Sequence, residues 1–133
     1  MAVIVIDTPD APKAIGPYAQ AVSIGDLLFC SGQIPIDPAT NEVQLFGGDV
    51  GRQTALVLNN LKAVLEAAGA SVADVVKTTV YLTTMDHFPV MNAAYGAAFG
   101  AHRPAPATMA VAWLPLGVGV EIDAIAKIGA GAE

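Results

Sequence analysis

The spacing of apolar positions changes several times along this chain, and each change marks an element. Val57, Leu61, Val64, Leu65 and Ala68 fall at i, i+4, i+7, i+8 and i+11, which is one stripe of a helix. The spacing predicts a helix over about residues 49–68, with Gly69 placed for a left-handed C-terminal cap. Residues 75–82, rich in Val, Thr and Tyr, predict a strand. A second helix is expected over about residues 86–99, burying Phe88, Met91, Tyr95 and Phe99. Pro89 falls in its first turn, where a missing N–H does no harm. Strands over residues 108–113 and 118–127 close the chain around the turn Leu114-Pro115-Leu116-Gly117.

Upstream, residues 2–6 are a short apolar run that suits an edge strand. Residues 7–17 carry Pro9, Pro12, Gly16 and Pro17 and read as a loop of fixed geometry. Strands over residues 18–24 and 27–31 flank Gly25-Asp26, which suits a tight hairpin turn. Residues 34–44, with Pro35, Pro38 and Asn41, form a loop or a second small hairpin.

Two helices among six or seven strands point to an α+β fold, a single sheet with both helices packed on one face. The other face is then uncovered. The 133 residues are expected to form one domain, residues 1–133. Hydrophobic residues make up 54% and charged residues 14%, against roughly a quarter charged in an average globular protein. A monomer of this composition exposes much apolar area, so a homo-oligomer covering the free face is expected.

The net charge of −6 and pI of about 4.6 weigh against nucleic acid as a partner, because phosphates are met by clustered Lys and Arg. The six basic residues here are scattered. Asp7 interrupts the apolar opening and no basic run precedes it, so no signal peptide is expected. The longest weakly polar run, residues 105–120, carries Pro106 and Pro115 and is too short to span a bilayer. A single cysteine, Cys30, excludes an internal disulfide and fits a reducing, cytoplasmic setting with a buried structural thiol. His87 and His102 have no acid or thiol neighbours at ligand spacing, so no metal site is expected. No phosphate-cradling glycine pattern occurs, so a nucleotide site is unsupported.

The last predicted strand carries the most suggestive chemistry. With a side-chain period of two, Val118, Val120, Ile122, Ala124 and Ala126 share one face, and Glu121, Asp123 and Ile125 share the other. The two carboxylates lie about 7 Å apart. The apolar set should face the helices, leaving the carboxylates on the side assigned to subunit contacts. There a partly desolvated carboxylate can position or activate water; a pair of solvated acids is the other reading. Asn92, three residues before Tyr95, suits either a ligand contact or a backbone cap. Tyr18 follows the rigid Ile15-Gly16-Pro17 turn and is held in a defined direction, for packing or for a site. Ser31-Gly32-Gln33 ends a strand in glycine, where a ligand can approach the backbone, although ordinary strand termination explains it equally. Asp10 and Lys13 are loop residues without an assigned role. Trp113 suits either an interface anchor or an exposed aromatic.

These stretches resemble the reactive intermediate deaminase (Rid, or YjgF-like) family of enamine/imine deaminases. The resemblance lies in Ala14-Ile15-Gly16-Pro17-Tyr18-Ala19-Gln20-Ala21-Val22, Ser31-Gly32-Gln33-Ile34-Pro35 and Val76-Lys77-Thr78-Thr79-Val80-Tyr81-Leu82. Asn92-Ala93-Ala94-Tyr95 and Val120-Glu121-Ile122-Asp123-Ala124-Ile125-Ala126 complete it, in order over nearly the whole chain. It implies a chorismate-mutase-like fold assembled as a barrel-shaped homotrimer with clefts between subunits. It also implies cofactor-free hydrolysis of a small-molecule substrate, 2-iminobutanoate or 2-iminopropanoate, to a 2-oxo acid and ammonia. The water-orienting carboxylate matches Glu121; the substrate-binding positions match Tyr18, Gly32, Asn92 and, through its backbone N–H, Thr108.

One position departs from the family pattern. The arginine that grips the substrate carboxylate falls at Pro106, which has neither charge nor N–H. Arg103 lies three residues away, across Pro104, and is a poor positional substitute. Two functions are therefore expected: hydrolysis of an imine or enamine that lacks, or differently presents, the usual carboxylate, or a non-catalytic trimer that binds small metabolites or a protein partner. Some members of the family have been described as ribonucleases or translation inhibitors, against which the acidic balance weighs here.

Overall fold

The structure is a computed structural model and describes residues 2–132. Six strands form one mixed sheet in the order β1-β2-β3-β8-β6-β7. They are β1 (Val3–Ile6), β2 (Ala21–Ile24), β3 (Leu27–Gln33), β6 (Val75–Leu82), β7 (Ala105–Ala110) and β8 (Val120–Lys127). A small hairpin, β4 (Ile36–Asp37) with β5 (Glu42–Val43), follows β3. Helices α1 (Val50–Ala67) and α2 (Phe88–Phe99) complete the α+β architecture. Among the described residues no helix is long and apolar enough to cross a membrane.

Local chemistry sets the helix ends. Asp49 caps α1 by accepting the Arg52 N–H at 3.1 Å. At the other end Gly69 takes φ +80°, and Ala70 N–H returns to Leu65 C=O at 2.8 Å, which closes the last turn. The stripe Val57, Leu61, Val64 and Leu65 is buried against Val120, Ile122, Ala124 and Ala126 of β8 and against Leu28 and Cys30 of β3. Along β8 buried and half-buried residues alternate without a break, so Glu121, Asp123 and Ile125 do face away from the helices.

Three differences from the sequence expectation stand out. The strand expected over 18–24 begins only at Ala21, because the Tyr18 N–H turns back to Gly16 C=O at 2.8 Å. The strand expected over 108–113 instead spans Ala105–Ala110, in register with β6 from Lys77↔Ala105 to Leu82↔Ala110. This pair is parallel, with α2 as its crossover. Pro106 is tolerated because β7 is an edge strand. Trp113 lies beyond the strand and is 73% exposed. The third difference is Phe88, which the helical stripe buries on paper and the structure leaves exposed at the start of α2.

Candidate active site

Glu121 sits opposite Tyr81 on the uncovered face of the sheet. Beside it, β3 carries a bulge: Cys30 pairs with Ala124 and Gln33 with Ile122, so Ser31 and Gly32 together oppose Asp123. The extra residue lets Cys30 and Gln33 both turn inward and presents the Gly32 backbone to Glu121. Burial raises the Glu121 carboxyl above its ordinary value, and the neighbouring charge of Asp123 adds to the rise. Asp123 is itself fixed by the Tyr81 hydroxyl, which donates to its Oδ2 at 3.1 Å.

The loop before β2 completes this side. Gln20 is buried, and its side chain joins the loop from within. Its Oε1 accepts the Thr8 N–H at 2.8 Å, and its Nε2 donates to the carbonyls of Thr8 and Pro12 at 3.1 and 2.8 Å. Ser31 Oγ donates to Ala19 C=O at 2.7 Å, tying the loop to the bulge. Tyr18 is thereby held over the Gly16-Pro17 turn, its hydroxyl oxygen accepting the Ile15 N–H at 3.2 Å. Between loop and bulge lies a cleft of about 280 Å³, lined by Lys13, Tyr18, Gly32, Ile34, Leu116 and Glu121 among others. That is close to the size of small-ligand sites.

Asn92 and Thr108 lie elsewhere. With Pro106, Met91 and Tyr95 they border a groove of about 70 Å³ between α2 and the edge strand β7, too small to enclose a metabolite alone. Register fixes the separation. Thr108 pairs with Val80 on the helix-covered face, whereas Glu121 pairs with Tyr81, the next residue, on the opposite face. Within one chain the five sequence-predicted residues therefore form two groups: Tyr18, Gly32 and Glu121 in the cleft, and Asn92 and Thr108 in the edge groove.

The free edge of β7 has directional chemistry. Val111 N–H donates inward to Leu82 C=O at 2.7 Å. Alternation along a parallel pair then turns the N–H groups of Met109 and Ala107 inward and that of Thr108 outward. Pro106 occupies another outward position, so its missing N–H breaks no ladder bond. Arg103 does not fill in: its guanidinium donates to the carbonyls of Gly100 and His102 at the end of α2.

Cys30 is buried under the sheet and its thiol is pushed up to about 12, mainly by burial and then by Asp123, which suits a structural role. Among the described residues no group of three or more His, Cys, Asp or Glu side chains is placed to hold a metal ion. Sequence reading missed Gln20, whose role depends on contacts eight to twelve residues away. It also missed the buried Asn60, which donates to Ile36 C=O at 2.8 Å and seats the β4–β5 hairpin beside the cleft. Lys13 carried one signal, a cation next to the fixed Pro12 and just before the Ile15-Gly16-Pro17-Tyr18 turn.

A family profile described as Endoribonuclease L-PSP matches residues 8–128. A RutC family protein of Pyrococcus horikoshii is 52% identical over 122 residues, spanning 92% of this chain and 95% of that protein. The 2-iminobutanoate/2-iminopropanoate deaminase of Escherichia coli K12 is 47% identical over 124 residues, spanning 91% and 94%. Among solved structures, RidA from the Antarctic bacterium Psychrobacter sp. PAMC 21119 superposes with a TM-score of 0.89 at 42% identity, covering 94% of this chain and 99% of that one.

Proposed function

The chain belongs to the endoribonuclease L-PSP (Rid, or YjgF-like) family, and on that footing we propose that it hydrolyses small reactive imines or enamines to a carbonyl compound and ammonia. The observation that carries this reading is the half-buried Glu121 carboxylate, set in a cleft of ligand size against the Gly32 backbone. In the reaction, Glu121 takes a proton from water as the oxygen adds to the C=N carbon. The same proton passes to the nitrogen of the tetrahedral adduct; the adduct's hydroxyl proton then follows it through Glu121, so that the C=O forms as the C–N bond breaks and the nitrogen leaves as ammonia. An enamine first takes up a proton at carbon to become the imine. Net, one water is consumed and Glu121 returns to its carboxylate. A raised carboxyl suits a group that must both accept and return a proton near neutral pH.

The second group of residues enters from a neighbouring copy. The proposed assembly is a homotrimer in which the edge groove of one chain, with Asn92 and the outward Thr108 N–H, faces the Glu121 cleft of the next. The separation of the two groups on opposite faces supports this reading, as does the uncovered sheet face. Light scattering should give about 40 kDa, three times the 13.5 kDa chain.

Pro106 narrows the substrate. Without the bidentate arginine, a 2-imino acid loses a contact worth a few kcal/mol, on the order of a hundredfold in rate. The substrate either lacks the usual carboxylate or presents it differently. Pro106 also favours a second reading, a non-catalytic trimer that binds small metabolites. The acidic balance of −6 weighs against an RNA substrate. Ammonia release from freshly generated 2-aminoacrylate separates the readings: turnover by the wild type that vanishes in Glu121→Ala supports hydrolysis. Activity appearing only in Pro106→Arg excludes 2-aminoacrylate as the native substrate. Equal release with Glu121→Ala, Pro106→Arg and buffer leaves the binding reading.

A further inference from the structure

We propose that Lys13 takes over the anion-gripping part, receiving the substrate's carboxylate at the cleft that holds Glu121. The proposal rests on the hydrolase reading for its substrate class, but its physical basis is separate.

The chain has six Lys and Arg residues, and five are placed elsewhere. Arg52 stacks over the Phe46 ring at 4.4 Å, and Arg103 folds onto the end of α2. Lys127 pairs with Asp26 at 3.4 Å. Lys77 donates to Thr78 C=O at 3.0 Å, four residues along β6 from the partner of Glu121, which is roughly 13 Å away. Lys62 is exposed on α1, which covers the other face of the sheet. Only Lys13 lines the cleft with Glu121 and Tyr18.

Its backbone is firmly placed. Pro12, one residue earlier, is buried and its carbonyl is held by Gln20, and the Lys13 N–H donates to Asn41 Oδ1 at 3.2 Å. Among the described residues no carboxylate lies within ion-pair distance of its ammonium. The ammonium is thus available to an incoming anion, and the cleft that Lys13 borders has an apolar wall. That wall includes Ile15, Ile34, Ile36 and Leu116, which suit a short aliphatic side chain. Ile15 and Leu116 are exposed, open to a ligand. The preferred substrate is accordingly a small aliphatic 2-imino acid or its enamine, held by Lys13 rather than by residue 106. A lysine meets the carboxylate as a point charge, so orientation falls to the walls and to Glu121.

The test is a calorimetric titration of the purified full chain with 2-oxobutanoate and, separately, with uncharged 2-butanone. Lys13→Met should weaken 2-oxobutanoate about fivefold, the scale of one partly exposed ion pair, and leave 2-butanone unchanged. Lys13→Arg should restore binding to within about twofold. Lys62→Met, a charge loss of equal size on the helix face, should bind as the wild type. In turnover, Lys13→Met should raise KM for the imine by the same factor with kcat nearly unchanged. Unchanged 2-oxobutanoate binding in Lys13→Met, an equal loss in Lys62→Met, or no binding by the wild type overturns the assignment. Lys13-dependent binding without ammonia release by any variant instead overturns the hydrolase reading and leaves the lysine in place.

Discussion

The backbone of Gly32 abuts the carboxylate of Glu121. A Cβ at residue 32 would lie 2.5 Å from Oε2 of Glu121 and 3.0 Å from its Cδ, closer than carbon and oxygen tolerate. Gly32 has no positive φ, so space and not backbone conformation requires glycine here. Gly32→Ala should therefore push the carboxylate aside and leave the fold standing, because the clash falls on the end of a flexible side chain. Expected are a loss of roughly ten- to a hundredfold in kcat/KM and a melting temperature within a few degrees of the wild type. Thermal unfolding and steady-state kinetics on the same preparation check it; full activity contradicts the assigned geometry.

The pH dependence has a definite sign. Glu121 must be ionised to take a proton from water, and burial followed by the Asp123 charge lifts its pKa above the ordinary 4.5. The rate should rise with pH through that lifted value, so the acid limb lies above the ordinary glutamate range. Asp123→Asn removes the like charge but keeps an acceptor for the Tyr81 hydroxyl. Its acid limb should move to lower pH yet stay above the ordinary range, because burial is the larger cause. A limb that stays still or moves up would show that Asp123 does not act on Glu121.

Gln20 holds the loop backbone at Thr8, Ala11 and Pro12 with one side chain. Gln20→Ala leaves the Thr8 N–H and the Pro12 carbonyl without their partner in a buried place. About 2–3 kcal/mol of stability should be lost. Guanidinium titration should lower the midpoint with little change in slope, and KM should rise as Lys13 and Tyr18 lose their support. A loss below about 0.5 kcal/mol would mean that the loop is held by other contacts.

What was legible in the sequence was what repeats with a short period. The stripe of α1, the strand Val75–Leu82 and the alternation around Glu121 follow from local spacing, and all three stand as read. The start of β2 was not legible, because the turn at Gly16 and the Gln20 bonds to residues eight to twelve positions back end the strand at Ala21. The limits of β7 were hidden for a similar reason. Only the parallel register with β6 brings Ala105 and Pro106 into the sheet. The likeness of the chain to its family supplied the candidate residues, but not their division between two faces. That division rests on register, which no single strand encodes.

If the active cleft is built from two chains, two differently damaged chains should repair each other. Glu121→Ala removes the water-handling group. Thr108→Pro removes the outward N–H on β7 at a position where proline breaks no ladder bond. Each variant alone should be inactive toward the imine. Unfolded together and refolded as mixed trimers, they should place an intact Glu121 opposite an intact Thr108 N–H in about a quarter of the clefts. The measurement is ammonia release by the refolded mixture against each variant refolded alone. The two-chain site predicts about a quarter of wild-type activity in the mixture; a mixture as inactive as its components contradicts it.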